Sequence, residues 1–272
     1  MAVKVSSSGD GSNGSAVAVV PPADPFATKE VYKDNVFDRF MINYFSRTMS
    51  NELGGLPYDG SYESFVDLSR EMMRGRNTQQ QQEAVAGVLV SLLPPQAPAN
   101  FRKWFPFNKL NSEVNAFITT LGFTWLIEVD YQGRKEEWLS GVEIKKCRYL
   151  ESSGCVGLCV NLCKLPTQKF FTETFGLPLT MNPNFEDLSC EMAFGQYPPP
   201  VEQDKVYNQP CFAKQCNLVG NTVSSKDLSK PCPKIDTERQ KKERTLGAAG
   251  RGKNGGGLFS LLRALTPGKA DR

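Results

Sequence analysis

The stretch SGCVGLCVNLCKLP, residues 153–166, places Cys155, Cys159 and Cys163 four residues apart. On a straight α-helix the first two cysteines would lie about 6 Å apart along the axis, and the outer two about 12 Å apart. The shorter distance suits neighbouring metal ions of one cluster, whereas the longer one requires the backbone to bend. The residues that permit a bend are Gly154, Gly157 and Asn161. The spacing is therefore compatible with a metal cluster but does not require one.

The 272-residue chain contains eight cysteines and no histidine. Without imidazole it cannot form an iron site of two histidines and a carboxylate, a histidine-ligated haem or a catalytic zinc site built on histidine. Thiolate sites remain: one four-cysteine cluster, two clusters, or a pair of structural zinc ions. Nearby cations would offset the negative charge of a thiolate-bound cluster. These cations are Lys145, Lys146, Arg148 and Lys164.

Simpler interpretations of the cysteines stay open. Free cysteine is among the most buried residue types, so these side chains could pack as small hydrophobic groups. Disulfides are a weaker alternative, because the apolar run at residues 16–20 is too short for a secretory signal. The Ser/Gly-rich N-terminus favours a plastid or mitochondrial transit segment instead.

Composition limits the partners. Hydrophobic residues make up 40% of the chain, enough for one sizeable domain or two small ones. The net charge of +3 arises from interspersed acids and bases, so we expect no nucleic-acid partner. No window approaches the roughly 18 apolar residues that a membrane-spanning helix needs.

We predict an α+β fold in four regions: a disordered leader or transit segment (1–27), a helical region (28–123), a cysteine-rich domain with ferredoxin-like character (124–235) and a flexible charged and Gly-rich tail (236–272). Apolar residues at three-to-four-residue spacing predict helices over 36–49, 62–73, 84–92 and 110–121, and a short one over 258–265. We expect the aromatic stripes of the first half to lie mostly in the core.

The second half changes period at residue 124. Alternation over 125–131 and again over 142–144 predicts a hairpin that leads to Cys147. Two capped helices should follow, over 168–175 with Thr167 as N-cap and Gly176 beyond its end, and over 184–195 with Cys190 on it. An irregular segment then carries Cys211, Cys216 and Cys232.

The segment ANFRKWFPFNKL, residues 99–110, mixes the adjacent basic residues Arg102 and Lys103 with four aromatic side chains. Such a mixture is typical of the headgroup boundary of a membrane. The competing interpretation is that these aromatic side chains pack in the core.

Three long blocks then carry a resemblance: VYKDNVFDRFMINYFS (31–46), IKKCRYLESSGCVGLCVNLCKLPTQKFF (144–171) and GLPLTMNPNFEDLSCEMAFGQYPPP (176–200), with CPK (232–234) at the end. The chain resembles the plant carotene isomerase family at the head of strigolactone synthesis, the Dwarf-twenty-seven type. The resemblance implies an iron-containing enzyme of the chloroplast that interconverts all-trans- and 9-cis-β-carotene. Its partners would be a carotenoid substrate, an electron donor of unknown identity and the surface of a plastid membrane.

Rotation of a polyene double bond requires a lower bond order, which transfer of one electron or addition of a proton can provide. An iron-sulfur cluster is a one-electron device. We therefore hypothesise that Cys155, Cys159, Cys163 and Cys190 bind the functional cluster. The remaining cysteines, namely Cys147, Cys211, Cys216 and Cys232, would form a second site or support the first.

The proton route needs an acid in an apolar pocket. The candidates are Glu186, Asp187 and Glu191, because they share the predicted helix of Cys190. For Glu186 and Asp187 the simpler interpretation is ordinary placement of acids in a first helical turn. Two other functions remain: a non-enzymatic interaction module stabilised by zinc or an iron-sulfur cluster, and an electron-transfer protein.

Overall fold

The computed structural model describes residues 24–122, 128–130, 139–200, 203–212, 215 and 230–235. Helices come first in this part of the chain and an antiparallel sheet follows, so the predicted α+β class is confirmed. Most of the predicted leader, the tail with its helix over 258–265, and Cys216 lie outside the described residues. The predicted region boundaries therefore stay predictions. No helix of the described part combines the length and apolar content that crossing a bilayer requires.

The first half is helical, as predicted. Its helices are α1 (Val36–Glu52), α2 (Tyr62–Met73), α3 (Thr78–Ser91), α4 (Ala97–Trp104) and α5 (Lys109–Gly122). Of these, only α4 has no counterpart among the predicted helices. A capping box starts α1: the Asp38 amide donates to the Asn35 side chain (3.0 Å), and the Asn35 amide donates to the Asp38 carboxylate (2.9 Å).

The expectation that the aromatic stripes are core is correct for some helices and wrong for others. On α2, Tyr62 and Phe65 are buried. On α5 the buried face carries small and polar side chains instead: it consists of Ser112, Asn115, Ala116 and Thr119. The apolar stripe of the same helix is exposed: it includes Leu110, Phe117, Ile118 and Leu121. In the segment 99–110, Trp104, Phe105 and Phe107 are also exposed, which contradicts their interpretation as core residues.

An antiparallel sheet lies in the second half. Its strands are β1 (Glu128–Asp130), β2 (Gly141–Lys146), β3 (Leu179–Pro183) and β4 (Cys190–Phe194), in the order β1-β2-β4-β3. The predicted hairpin is confirmed, since β1 pairs with β2. The predicted helix over 184–195 is wrong. Residues 190, 192 and 194 are buried in alternation with their neighbours, which is the period of a strand, and β4 pairs with β2 and β3 on its two sides.

The cysteine-containing segment is helical over a longer range than predicted. After α6 (Arg148–Ser153) come α7 (Val156–Leu158), a π-helical segment (Cys159–Lys164), α8 (Leu165–Lys169) and a second π-helical segment (Phe170–Phe175). We call residues 156–175 the cysteine helix. Thr167 lies inside this helix, so its prediction as an N-cap is wrong. Proline disrupts the hydrogen bonds of a regular α-helix, but the π-helical turn before Pro166 already has a different hydrogen-bond pattern, so the helix continues through the proline. Gly176 ends the helix with a positive φ of 70°, as predicted.

Residues 28–34 are held against α6 by charged groups. The buried Glu151 carboxylate accepts hydrogen bonds from the Tyr32 hydroxyl (3.2 Å) and the Glu30 amide (3.1 Å), and pairs with the Lys146 ammonium group at 2.8 Å. Arg148 pairs with Asp34. This contact network fixes the helix that follows Cys147.

We expect Gly157→Ala to destabilise the protein. A Cβ atom at this position would lie 2.8 Å from Lys234 Cβ and 3.3 Å from Met73 Cε, so packed atoms would have to move. Overpacking of this kind lowers the free energy of unfolding by about 1–3 kcal/mol. Chemical denaturation measures the change. Gly122→Ala is the control, because no atom lies within 4 Å of its added Cβ; equal losses for the two variants would contradict the packing shown at Gly157.

A cysteine-lined cavity as the candidate functional site

A cavity of about 80 Å³ lies between the sheet, the cysteine helix and α5. Its cysteine lining consists of Cys147, Cys159, Cys163 and Cys190. Its apolar lining consists of Ile144, Leu150, Phe171, Met181, Pro183 and Met192. The described fold therefore brings four thiols from three separate parts of the chain to one apolar cavity.

Two of the thiols are positioned by the sheet and its turns. Cys190 lies on β4, paired with Ile144 of β2 and Pro183 of β3, and both neighbours also line the cavity. Cys147 is the N-cap of α6, and its amide donates to the Leu188 carbonyl at 2.8 Å. Leu188 is fully buried with a φ of 64°, a conformation uncommon outside glycine, so packing must hold it there. The turn between β3 and β4 thus holds Cys147 at the cavity.

Besides Lys164, the cysteine helix presents to the cavity a series of residues at a constant four-residue spacing: Cys159, Cys163, Thr167 and Phe171. In an α-helix, with 3.6 residues per turn, each such step rotates the side chain by about 40°. Three steps would turn Phe171 about 120° away from Cys159. The two π-helical segments contain more residues per turn and compensate for this drift. The wide turns therefore keep the residues of this series on the face that meets the cavity.

The thiols are close enough to influence one another's ionisation. Burial raises the pKa of Cys147 to about 11 and that of Cys163 to about 12. Burial also raises the pKa values of Cys159 and Cys190 well above the usual range, and their cysteine neighbours add to this effect. Without a bound cation the four side chains are thus protonated thiols at neutral pH, and metal binding would release their protons.

Lys164 adds a positive charge to the cavity. Its side chain is almost fully buried, and its ammonium group pairs with Asp204 at 2.7 Å and donates to the Met181 carbonyl at 2.7 Å. Of the four basic residues that flank the cysteines in sequence, Lys164 lines the cavity. Lys146 and Arg148 are instead paired with Glu151 and Asp34.

The four cavity cysteines can be compared with the donor sets of known metal groups. Four cysteines match the usual thiolate complement of an iron-sulfur cluster in number and type. Within the described residues, however, no three cysteine or acidic side chains are placed to hold one metal ion. The cysteines therefore match an iron-sulfur cluster in the number and type of their donor atoms, whereas the described side chains are not placed to hold a single metal ion.

The other predicted cysteines lie elsewhere. Cys155 is buried at the N-cap position of α7 and does not line the cavity. Cys211 is partly exposed, and Cys232 is buried with its amide bonded to the Gln209 carbonyl. The sequence-based set of four thus differs from the cavity set by one residue, with Cys155 in the place of Cys147.

The three predicted acids do not line the cavity either. Glu186 and Asp187 are exposed in the turn between β3 and β4. Glu191 lies on β4 but accepts a hydrogen bond from the Asn182 side chain (3.2 Å) on the strand face opposite Cys190. These acids were selected because they share a predicted helix with Cys190, but this segment forms a β-hairpin. None of the three is therefore placed to donate a proton into the cavity.

Sequence reasoning missed Asp204 and Tyr149. Asp204 lies just before a 3₁₀ turn (Lys205–Asn208) and contacts Lys164, which is 40 positions away along the chain. A local sequence pattern cannot predict an ion pair between residues so far apart along the chain. Tyr149 follows Cys147 by two residues and lines the cavity, so proximity to the cysteine could have identified it.

The sequence around the cavity is similar to that of known proteins. Residues 120–203, which contain all four cavity cysteines, match the family model described as "Beta-carotene isomerase D27-like, C-terminal". The chain is 40% identical over 197 residues to the chloroplastic beta-carotene isomerase D27 of Medicago truncatula, an alignment that covers 70% of this chain and 77% of the relative. It is 39% identical over 188 residues to the protein of the same name from Arabidopsis thaliana, covering 66% of this chain and 70% of the relative.

No solved structure matches the chain. Both relatives are chloroplastic, which confirms the predicted plastid location. The resemblance seen in the three sequence blocks is confirmed as well. By the extent and identity of these alignments, this chain belongs to the beta-carotene isomerase D27 family.

Proposed function

We propose that this protein is a chloroplast carotenoid isomerase that interconverts all-trans- and 9-cis-β-carotene in strigolactone biosynthesis, with iron bound by the cavity cysteines. The names of both relatives support the isomerase activity. The single observation that carries the proposal is an apolar cavity lined by four cysteines. β-Carotene is a hydrocarbon, so its binding depends on burial of apolar surface rather than on polar contacts.

The apolar walls of the cavity suit part of a carotene chain. On this proposal, a section of the C40 polyene would enter between the sheet and the cysteine helix. Met181 and Met192 face this space, and methionine adapts its shape to an irregular partner. These walls would hold one part of the polyene beside the thiols and exclude water from it.

A cysteine-bound iron-sulfur cluster would supply one-electron chemistry at this position. Side chains of this protein would bind the cluster and balance its charge. Cys147, Cys159, Cys163 and Cys190 are the candidate ligands, and the Lys164 ammonium group would offset part of the negative charge of bound thiolates. Asp204 holds Lys164 in place through their ion pair at 2.7 Å.

The test is anaerobic incubation of the full chain, purified after reconstitution with iron and sulfide, with all-trans-β-carotene in detergent micelles. We expect 9-cis-β-carotene to form and to be separable by chromatography, and we expect iron and acid-labile sulfide in the protein. Stoichiometric zinc without colour would support the structural-module alternative. A bound cluster with unchanged carotene would support the electron-transfer alternative, and either result would overturn the proposal.

A further inference from the structure

We infer that the outward side of α4 and α5 binds the surface of an anionic lipid bilayer and, if the proposed function is correct, admits carotene from that bilayer to the cavity. We call this region the α4–α5 surface. Its exposed apolar side chains include Trp104, Phe105, Phe107, Leu110, Phe117 and Leu121.

The apolar stripe of α5 faces away from the protein. Leu110, Phe117 and Leu121 recur at spacings of seven and four residues, which places them within about 20° of one direction around the helix. Their exposed fractions are 66%, 54% and 61%. The opposite side of α5 is buried against β2 and β4. A helix whose apolar side is exposed and whose polar side is packed indicates that another apolar medium meets the exposed side.

The charges next to this stripe favour a bilayer. Residues 97–112 contain Arg102, Lys103 and Lys109 but no aspartate or glutamate, and the Lys109 ammonium group lies 3.9 Å from the carboxylate of the next residue, Glu113. The Lys103 ammonium group lies 5.7 Å from the centre of the Trp104 ring, and Trp104 is 70% exposed. Tryptophan and lysine together are typical of the headgroup level, where anionic lipids attract basic side chains. Lysine is depleted at the centre of protein interfaces, so a second copy of the chain is the less suitable occupant.

A row of aromatic rings connects the surface with the cavity. Phe101 of α4 contacts Phe175 with ring centres 4.4 Å apart, and Phe175 contacts Phe171 at 5.5 Å. Phe171 lines the cavity, and so does Thr119 on α5. Arg102 fixes α4 beside this row by donating a hydrogen bond to the Thr174 carbonyl. A hydrocarbon leaving the bilayer at the α4–α5 surface would therefore meet apolar side chains along its way to the thiols.

The test is co-sedimentation of the full chain with vesicles of phosphatidylcholine alone or mixed with phosphatidylglycerol, without carotene. We expect binding to the anionic vesicles and weaker binding at high salt. The double variant Trp104→Glu/Phe117→Glu should lower the partition coefficient about tenfold or more. The charge variant Lys103→Ala/Lys109→Ala should lower it selectively on anionic vesicles. The matched control is Phe40→Glu, an aromatic residue of similar exposure (61%) on α1.

Wild-type protein that does not sediment with anionic vesicles would overturn the inference, as would an equal loss for Phe40→Glu. A dimer in solution that the double variant converts to monomer would show that a second copy covers the surface, which also overturns it. An isomerisation assay in detergent micelles distinguishes bilayer binding from the proposed isomerase function. If the double variant is active in micelles but inactive with carotene in vesicles, delivery of carotene from the bilayer is supported. If the wild-type protein binds vesicles but isomerises no carotene in either medium, only the proposed function is contradicted.

Discussion

Substituting Cys159 with serine is expected to lower the rate of carotene isomerisation by about a hundredfold or more. Changes in groups that merely support a metal ligand already cost about 10–100-fold in metal affinity or activity, and Cys159 is proposed as a ligand itself. The measurement is the initial rate of 9-cis-β-carotene formation, together with iron content per chain. Both quantities should decrease, because a hydroxyl group is a poor replacement for a thiolate ligand of iron.

Cys155→Ser is the variant to compare with Cys159→Ser. Both cysteines are buried and four residues apart, but Cys159 lines the cavity and Cys155 does not. We expect Cys155→Ser to keep its iron and most of its activity, and Cys147→Ser to lose both. If instead Cys155→Ser lost its iron and activity while Cys147→Ser kept them, the result would favour the cysteine set predicted from sequence and would contradict the cavity set.

Asp204→Ala is expected to lower the free energy of unfolding by about 3–5 kcal/mol. Its carboxylate is buried, and removal of one member of a buried ion pair leaves the Lys164 charge uncompensated in an apolar environment. Replacement of both charges by apolar residues of similar size is often neutral or stabilising. The double variant Asp204→Leu/Lys164→Met should therefore recover most of the loss in chemical denaturation.

The double variant also separates stability from function. If the positive charge of Lys164 supports bound thiolates, the double variant folds but retains less iron than the wild type. A double variant no more stable than Asp204→Ala would contradict the buried pairing. A stable double variant with full iron content would show that Lys164 acts in packing alone.

Local patterns predicted most helices well. The apolar spacing over 62–73 coincides with α2, and the spacing over 36–49 lies within α1. The failure over 184–195 has a physical cause: Asn184 with its following acids resembles a helix start, but its side chain accepts from the Glu186 amide within a turn (3.0 Å). Pairing of β4 with β2 and β3 outweighs that weak helical preference, since strand formation depends on partners.

The sequence by itself determined the chemistry available to this protein: no imidazole, eight thiols, and a four-residue spacing of three of them. The tertiary structure decided which thiols meet. Cys147 reaches the cavity because Leu188 holds its amide, and Cys190 reaches it because β4 pairs with β2. It also decided that α5 exposes its apolar side. Contacts between distant positions depend on how whole elements pack, and a local period specifies which side of an element is apolar but not what that side will face.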